Sequence, residues 1–150
     1  MGYSSALENT CASVFGEEQV TIRPYKVLAV DDNEAHNYAL RRMLEHKGFE
    51  VMAAFTGSQT LEMAEQSPDI VLLDVNLPDV NGFEVCRRLK QGENTKAIPV
   101  VFLSATHQTT TAVNDAKEAG ADNFLFYPVE PDHLVMVVRG VLEKRVVSRD

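Results

Sequence analysis

Five short apolar runs, separated by longer stretches with helical spacing, leave this chain few folds to choose from. The runs lie at 26–30, 50–54, 69–73, 99–103 and 123–126. Each is too short for a buried helix and is rich in aliphatic or β-branched side chains, so each reads as a strand. In the third, Ile70-Val71-Leu72-Leu73 is apolar at every position, as a parallel strand covered on both faces requires. After the first run, Asn33 serves as a helix N-cap. Ala39, Leu40, Met43 and Leu44 then recur at helical spacing until Gly48 ends the helix. A second helix is predicted over 57–66 with Leu61 and Ala64 facing in, and a third begins at Asn81 with Phe83, Cys86 and Leu89 on one face. The fourth, 109–119, has only alanines and Val113 as its apolar face, so it should pack thinly and move easily before Gly120 stops it. Pro131 opens the last, striped by Leu134, Val137, Val138, Val141 and Leu142. Five β/α units in sequence imply a doubly wound α/β fold, with a parallel sheet, right-handed crossovers and helices on both faces.

This alternation fits in one domain. It occupies residues 25–146, after a tail at 1–24 that shows no period and before a short end at 147–150. No apolar run approaches the ~20 residues of a membrane span. A net charge of −8 without clustered Lys and Arg argues against direct contact with nucleic acid. Arg41-Arg42 and Arg87-Arg88 read as solvated helix faces. Cys11 and Cys86 have no ligand-like spacing, and the start of the chain lacks the basic and apolar blocks of a signal peptide, so a reduced, cytoplasmic setting is expected. His36, His46, His107 and His133 are scattered and read as exposed helix or loop residues.

In a sheet of order 2-1-3-4-5, the ends of the first and third strands are neighbours at the switch point. That brings Asp31, Asp32 and Asp74 together. Individually, Asp74 could simply turn the chain and Asp31-Asp32 could cap the first helix. Three carboxylates side by side repel, however, and are accommodated by protonation or by a hard cation such as Mg2+ or Mn2+.

The motifs Val30-Asp31-Asp32, Leu72-Leu73-Asp74-Val75-Asn76-Leu77-Pro78, Asn81-Gly82, Leu103-Ser104-Ala105 and Gly120-Ala121-Asp122-Asn123-Phe124-Leu125 carry a resemblance. Over about residues 25–146 the chain resembles the receiver domains of bacterial two-component response regulators, which have the flavodoxin-like five-stranded fold. The resemblance implies that Asp74 accepts a phosphoryl group from a histidine kinase or phosphotransfer protein. Asp32, Asp74 and the backbone carbonyl of Asn76 would hold Mg2+ (or Mn2+), with Asp31 acting largely through water. Ser104 and Phe124 fall at switch positions, and Asn76 and Thr106 at positions that tune the lifetime of the phosphate. A downstream protein would read the face made by the fourth helix, fifth strand and last helix. Chemistry beyond self-catalysed phosphoryl acceptance and slow autodephosphorylation is not implied.

The pattern breaks at Tyr127, where these domains normally carry a lysine before the proline after the fifth strand. Tyr can donate a hydrogen bond but brings no positive charge, and no Lys or Arg is near it in sequence. Pro128-Val129-Glu130-Pro131 resembles a subset of receivers from hybrid sensor histidine kinases, so the chain is expected to be a stand-alone receiver or part of something longer. A receiver that serves as a phosphorylation-independent interaction module is the alternative. An aspartyl-phosphate phosphatase fits poorly, because Asn76 stands at its second acidic position and its motif belongs on the first strand. A nucleotide site fits worse, since no glycine-rich loop follows the first strand.

Overall fold

The computed structural model describes residues 23–105 and 109–148. Its elements are β1 (Lys26–Val30), α1 (Glu34–His46), β2 (Glu50–Ala54), α2 (Gly57–Ala64), β3 (Ile70–Leu73), α3 (Gly82–Gln91), β4 (Val100–Ser104), α4 (Thr110–Glu118), β5 (Asn123–Phe126) and α5 (Pro131–Ser148). All five strands are parallel, in the order β2-β1-β3-β4-β5.

Strand alternation divides the core in two. Leu28, Val30, Val71, Leu73, Val100 and Phe102 point to the side covered by α2, α3 and α4, where Ala64, Val85, Cys86, Leu89, Ala112 and Ala116 meet them. Val27, Ala29, Ile70, Leu72, Val101 and Leu103 point the other way, onto Leu40 and Leu44 of α1 and Leu134, Val138 and Leu142 of α5. Sheets with both faces covered have no solvated side, which is why the central strands carry no polar alternation.

Helix boundaries follow local chemistry. The Asn33 side chain accepts the His36 N–H at 3.0 Å and so caps α1. Gly48 and Gly120, at φ 98° and 97°, turn the chain after α1 and α4 in a region closed to most side chains. α2 ends at Ala64, two residues earlier than its periodicity predicts. There the Glu65 and Gln66 amides reach back only three residues, to Glu62 and Met63, and Ser67 takes a positive φ just before Pro68. Ala39 is exposed rather than part of the buried stripe of α1, and Asn37 takes the inward place beside Leu40 and Leu44.

β3 starts at Ile70, and Asp69 just before it is bound to the start of β1 twice, its N–H donating to Lys26 O at 2.8 Å and its carboxylate accepting the Lys26 N–H at 2.7 Å while pairing with Arg23 at 3.2 Å. β4 begins one residue after Pro99, which has no N–H to give, and extends to Ser104. α4 buries only Ala112 and Ala116, with Ala119 just beyond it, as the sequence leads one to expect.

Candidate functional site

β1 and β3 are paired in register, Val30 opposite Leu73, so the residues that follow them leave the sheet at the same level. The Asp74 N–H donates to Val30 O at 3.2 Å and the Asp31 N–H to Ala54 O at 3.1 Å, fixing both backbones at the sheet's carboxyl edge. One carboxylate oxygen from each of Asp31, Asp32 and Asp74 lies within 4.8 Å of the others. The three residues read from the sequence as one cluster are one cluster.

They differ in environment. Asp31 is 5% exposed, Asp74 is partly buried and Asp32 is open to solvent. Burial, and then the charge of Asp31, push the Asp74 carboxyl up to about 6. Burial likewise raises Asp31, against the Asn33 N–H that its Oδ1 accepts at 2.9 Å. Buried Asn37 stiffens this edge by donating from Nδ2 to the carbonyls of Ala29, Asp31 and Ala54, at 3.3, 3.1 and 3.0 Å. Hard oxygen donors that strain against one another fit a small divalent cation such as Mg2+ or Mn2+.

The loop after Asp74 is braced. Gly82 opens α3 with its N–H on Val75 O at 2.7 Å, and a Cβ there would run into the backbone oxygen of Asp74 and the Val75 Cα. Only glycine allows this approach, which explains its place in the motif. Asn81 caps α3 by accepting the Phe83 N–H at 2.7 Å. Asp79 accepts the Gly57 and Ser58 N–H groups at 2.8 and 2.9 Å, and those bonds hold its carboxyl below the usual range. Between these ties Asn76 is exposed.

Ser104 ends β4 with no exposed surface, and its carbonyl accepts the Tyr127 N–H at 3.0 Å. Phe124 stacks on Phe102 with ring centroids 5.7 Å apart and meets Phe126 at 5.1 Å, joining the core to the β5 edge. Tyr127 is partly buried, and its hydroxyl is pushed up to about 12 by burial and then by the charges of Asp31 and Asp74. Its ring lies 6.0 Å from that of His36, whose Nδ1 is 3.7 Å from Asp31 Oδ2.

His36 is therefore a neighbour of the acidic cluster, which the sequence reading missed. Its spacing from Asp31 is visible in the sequence, but the approach of Tyr127 from the far end of the chain is not. His46 and His133 are exposed, and Thr106, His107 and Cys11 lie outside the described residues. Buried Cys86 is pushed up to about 11 by burial and donates to Ala119 O. No helix among the described residues is long and apolar enough to cross a membrane.

A family model described as the response regulator receiver domain matches residues 27–139. The chain belongs to the response regulator receiver domain family. It is 36% identical to Protein PilH of Pseudomonas aeruginosa over 118 residues, 78% of this chain and 97% of that protein. It is 34% identical to the phosphate regulon transcriptional regulatory protein PhoB of Rhizobium meliloti over 79% of this chain, but spans only 52% of that longer protein. A crystal structure of a putative response regulator from Chloroflexus aurantiacus superposes with a TM-score of 0.76 at 34% identity, covering 81% of this chain and 99% of that one. Family membership makes this a signalling module of two-component systems rather than an enzyme.

Proposed function

We propose that this receiver domain takes a phosphoryl group onto Asp74 from a phosphohistidine on a histidine kinase or phosphotransfer protein, and that the product changes its binding to a downstream protein. The observation that carries this is the convergence of Asp31, Asp32 and Asp74 at the β1/β3 switch point, with Asp74 partly buried and crowded by charge. An Asp74 oxygen attacks phosphorus, the P–N bond breaks, and the departing imidazole nitrogen takes up a proton, leaving an acyl phosphate. Asp31, Asp32, Asp74 and the Asn76 backbone carbonyl would hold Mg2+ or Mn2+, which when bound offsets charge on the transferred group. The Asn33 N–H and Asn37 keep Asp31 in place, while the Asp74 N–H on Val30 O and the Gly82 N–H on Val75 O hold the backbone at and after Asp74.

In this reading Ser104 and Phe124 relay the change toward β5, Asn76 and Thr106 tune the lifetime of the phosphate, and the partner docks on α4, β5 and α5. The setting proposed is the cytoplasm. Tyr127 supports a second reading, a receiver fold used as a phosphorylation-independent interaction module, because it offers the site a phenol and no positive charge.

Acetyl phosphate, with and without Mg2+, followed by intact mass and amide NMR, separates the two. The first reading expects Mg2+-dependent modification that Asp74→Asn abolishes, with shifts spreading to Ser104, Phe124 and α4. No modification and no response to Mg2+ leaves the interaction module.

A further inference from the structure

The acidic cluster holds more negative charge than one divalent cation balances. With Asp74 converted to its acyl phosphate, the two remaining carboxylates and a phosphoryl group of about two negative charges face a cation of two positive charges, so protein donors must supply the rest. Among the described residues, the basic side chain closest to Asp31, Asp32 and Asp74 is His36, whose Nδ1 lies 3.7 Å from Asp31 Oδ2 and pairs with it as an ion only when the ring is protonated.

The position of His36 is built rather than incidental. Asp31 Oδ1 accepts the Asn33 N–H at 2.9 Å, and Asn33 Oδ1 accepts the His36 N–H at 3.0 Å. The same carboxylate thus fixes the cap of α1 and, through the cap, the residue whose ring faces its other oxygen at 3.7 Å. On its far side the imidazole meets Tyr127, tilted by 33°, whose hydroxyl feels both Asp31 and Asp74. His36, Ala105 and Tyr127 line one cleft of about 510 Å³, which continues over Leu40, Met43 and Val129. The His36 side chain is 56% exposed, so a group on Asp74 can approach it through solvent, and the Asp31 and Asp74 carboxylates lie within 4.8 Å of one another.

We propose that His36 contacts the phosphoryl group carried by Asp74, donating a ring N–H to one of its oxygens while Tyr127 backs the ring. The pair thereby occupies the place where the resemblance leads one to expect a lysine. An imidazole offers an N–H donor whether neutral or charged, so the contact does not depend on its protonation. The inference rests on Asp74 being the acceptor.

Beryllofluoride with Mg2+, added to the full chain and read by its 19F resonances and dissociation constant, tests it, alongside intact mass after acetyl phosphate. The wild-type chain should bind beryllofluoride and take up one phosphoryl group. His36→Ala, with an unchanged circular dichroism spectrum, should weaken beryllofluoride about tenfold and move one of the bound fluorine resonances. His36→Gln, which keeps an N–H donor, should recover most of both. A His36→Ala chain that matches wild type in affinity and in its 19F spectrum overturns the inference, as does His36→Gln behaving like His36→Ala. A wild-type chain that neither binds beryllofluoride nor gains mass overturns the phosphoacceptor reading itself, and this inference with it. Normal wild-type behaviour with a silent His36 removes the inference alone.

Discussion

β3 and β5 are both four-residue parallel strands, and they are held in opposite ways. Every residue of β3 is buried, with β1 and β4 on its flanks and helices on both faces. β5 lies at the edge, exposed at Asn123 and Phe126 and only partly covered at Phe124 and Leu125. The helix before it, α4, offers the core little more than methyl groups. Local stability follows buried apolar contact, so the strand that carries Asp74 should open with the whole molecule and the β5/α4 edge well before it. A fixed place for chemistry next to a loosely held edge is what a switch requires, since the edge can have two arrangements without disturbing the pocket.

The comparison can be broken most sharply at Asp74. Asp74→Asn should abolish Mg2+-dependent modification by acetyl phosphate, read as intact mass, while the amide spectrum of the β5 edge stays that of the unmodified protein. Next in size, Leu72→Ala should cost about 2–5 kcal/mol in denaturant unfolding, as deletions of fully buried leucine do. Leu125→Ala, on the partly covered edge, should cost under ~2 kcal/mol. Equal costs would erase the difference between the strands.

A third test uses pH. Asp74 ionises near 3.8 in the unfolded chain but at about 6 when folded, so it favours the folded state only while protonated. Its contribution is fully present below about 3.8, is lost as pH rises through about 6, and leaves a penalty at neutral pH. Without divalent cation, Asp74→Asn should therefore be more stable than wild type at pH 7 by on the order of 1–2 kcal/mol, after discounting for partial exposure. The gap should close below pH 4 and should shrink on adding Mg2+, both read as shifts in Tm. The smallest effect belongs to α4. Ala116→Gly should cost about 1 kcal/mol and speed hydrogen exchange in α4 selectively, leaving the β3 amides unchanged.

Much of this was legible in the chain itself because a buried parallel strand has a plain signature. Ile70 to Leu73 reads as a buried strand, and given a sheet of order 2-1-3-4-5, register puts Asp31, Asp32 and Asp74 at one edge. Contacts that cross between units were not legible. Asn37 looks like a solvated helix residue, yet it is buried because three strand-end carbonyls need its amide. His36 looks like a surface histidine, and only the return of the chain at Tyr127 makes it a wall of the site. Ala39 misled for a simpler reason: alanine is small enough to sit on either face of a helix, so it says little about which face is buried.

Asp79 has a mechanical consequence. The stretch between Asp74 and α3 is tied at Gly82 to Val75, at Asn81 to the start of α3, and at Asp79 to the first two amides of α2. A loop held so often has no slack, and it behaves as a lever rather than a hinge. Any displacement at Asn76 must drag Asp79, and Asp79 pulls on the beginning of an eight-residue helix. α2 contributes no side chain to the acidic cluster, yet it is harnessed to it through the Asp79 carboxylate, so Asp79→Ala, which removes both acceptors, would be felt in the pocket as a change of tension.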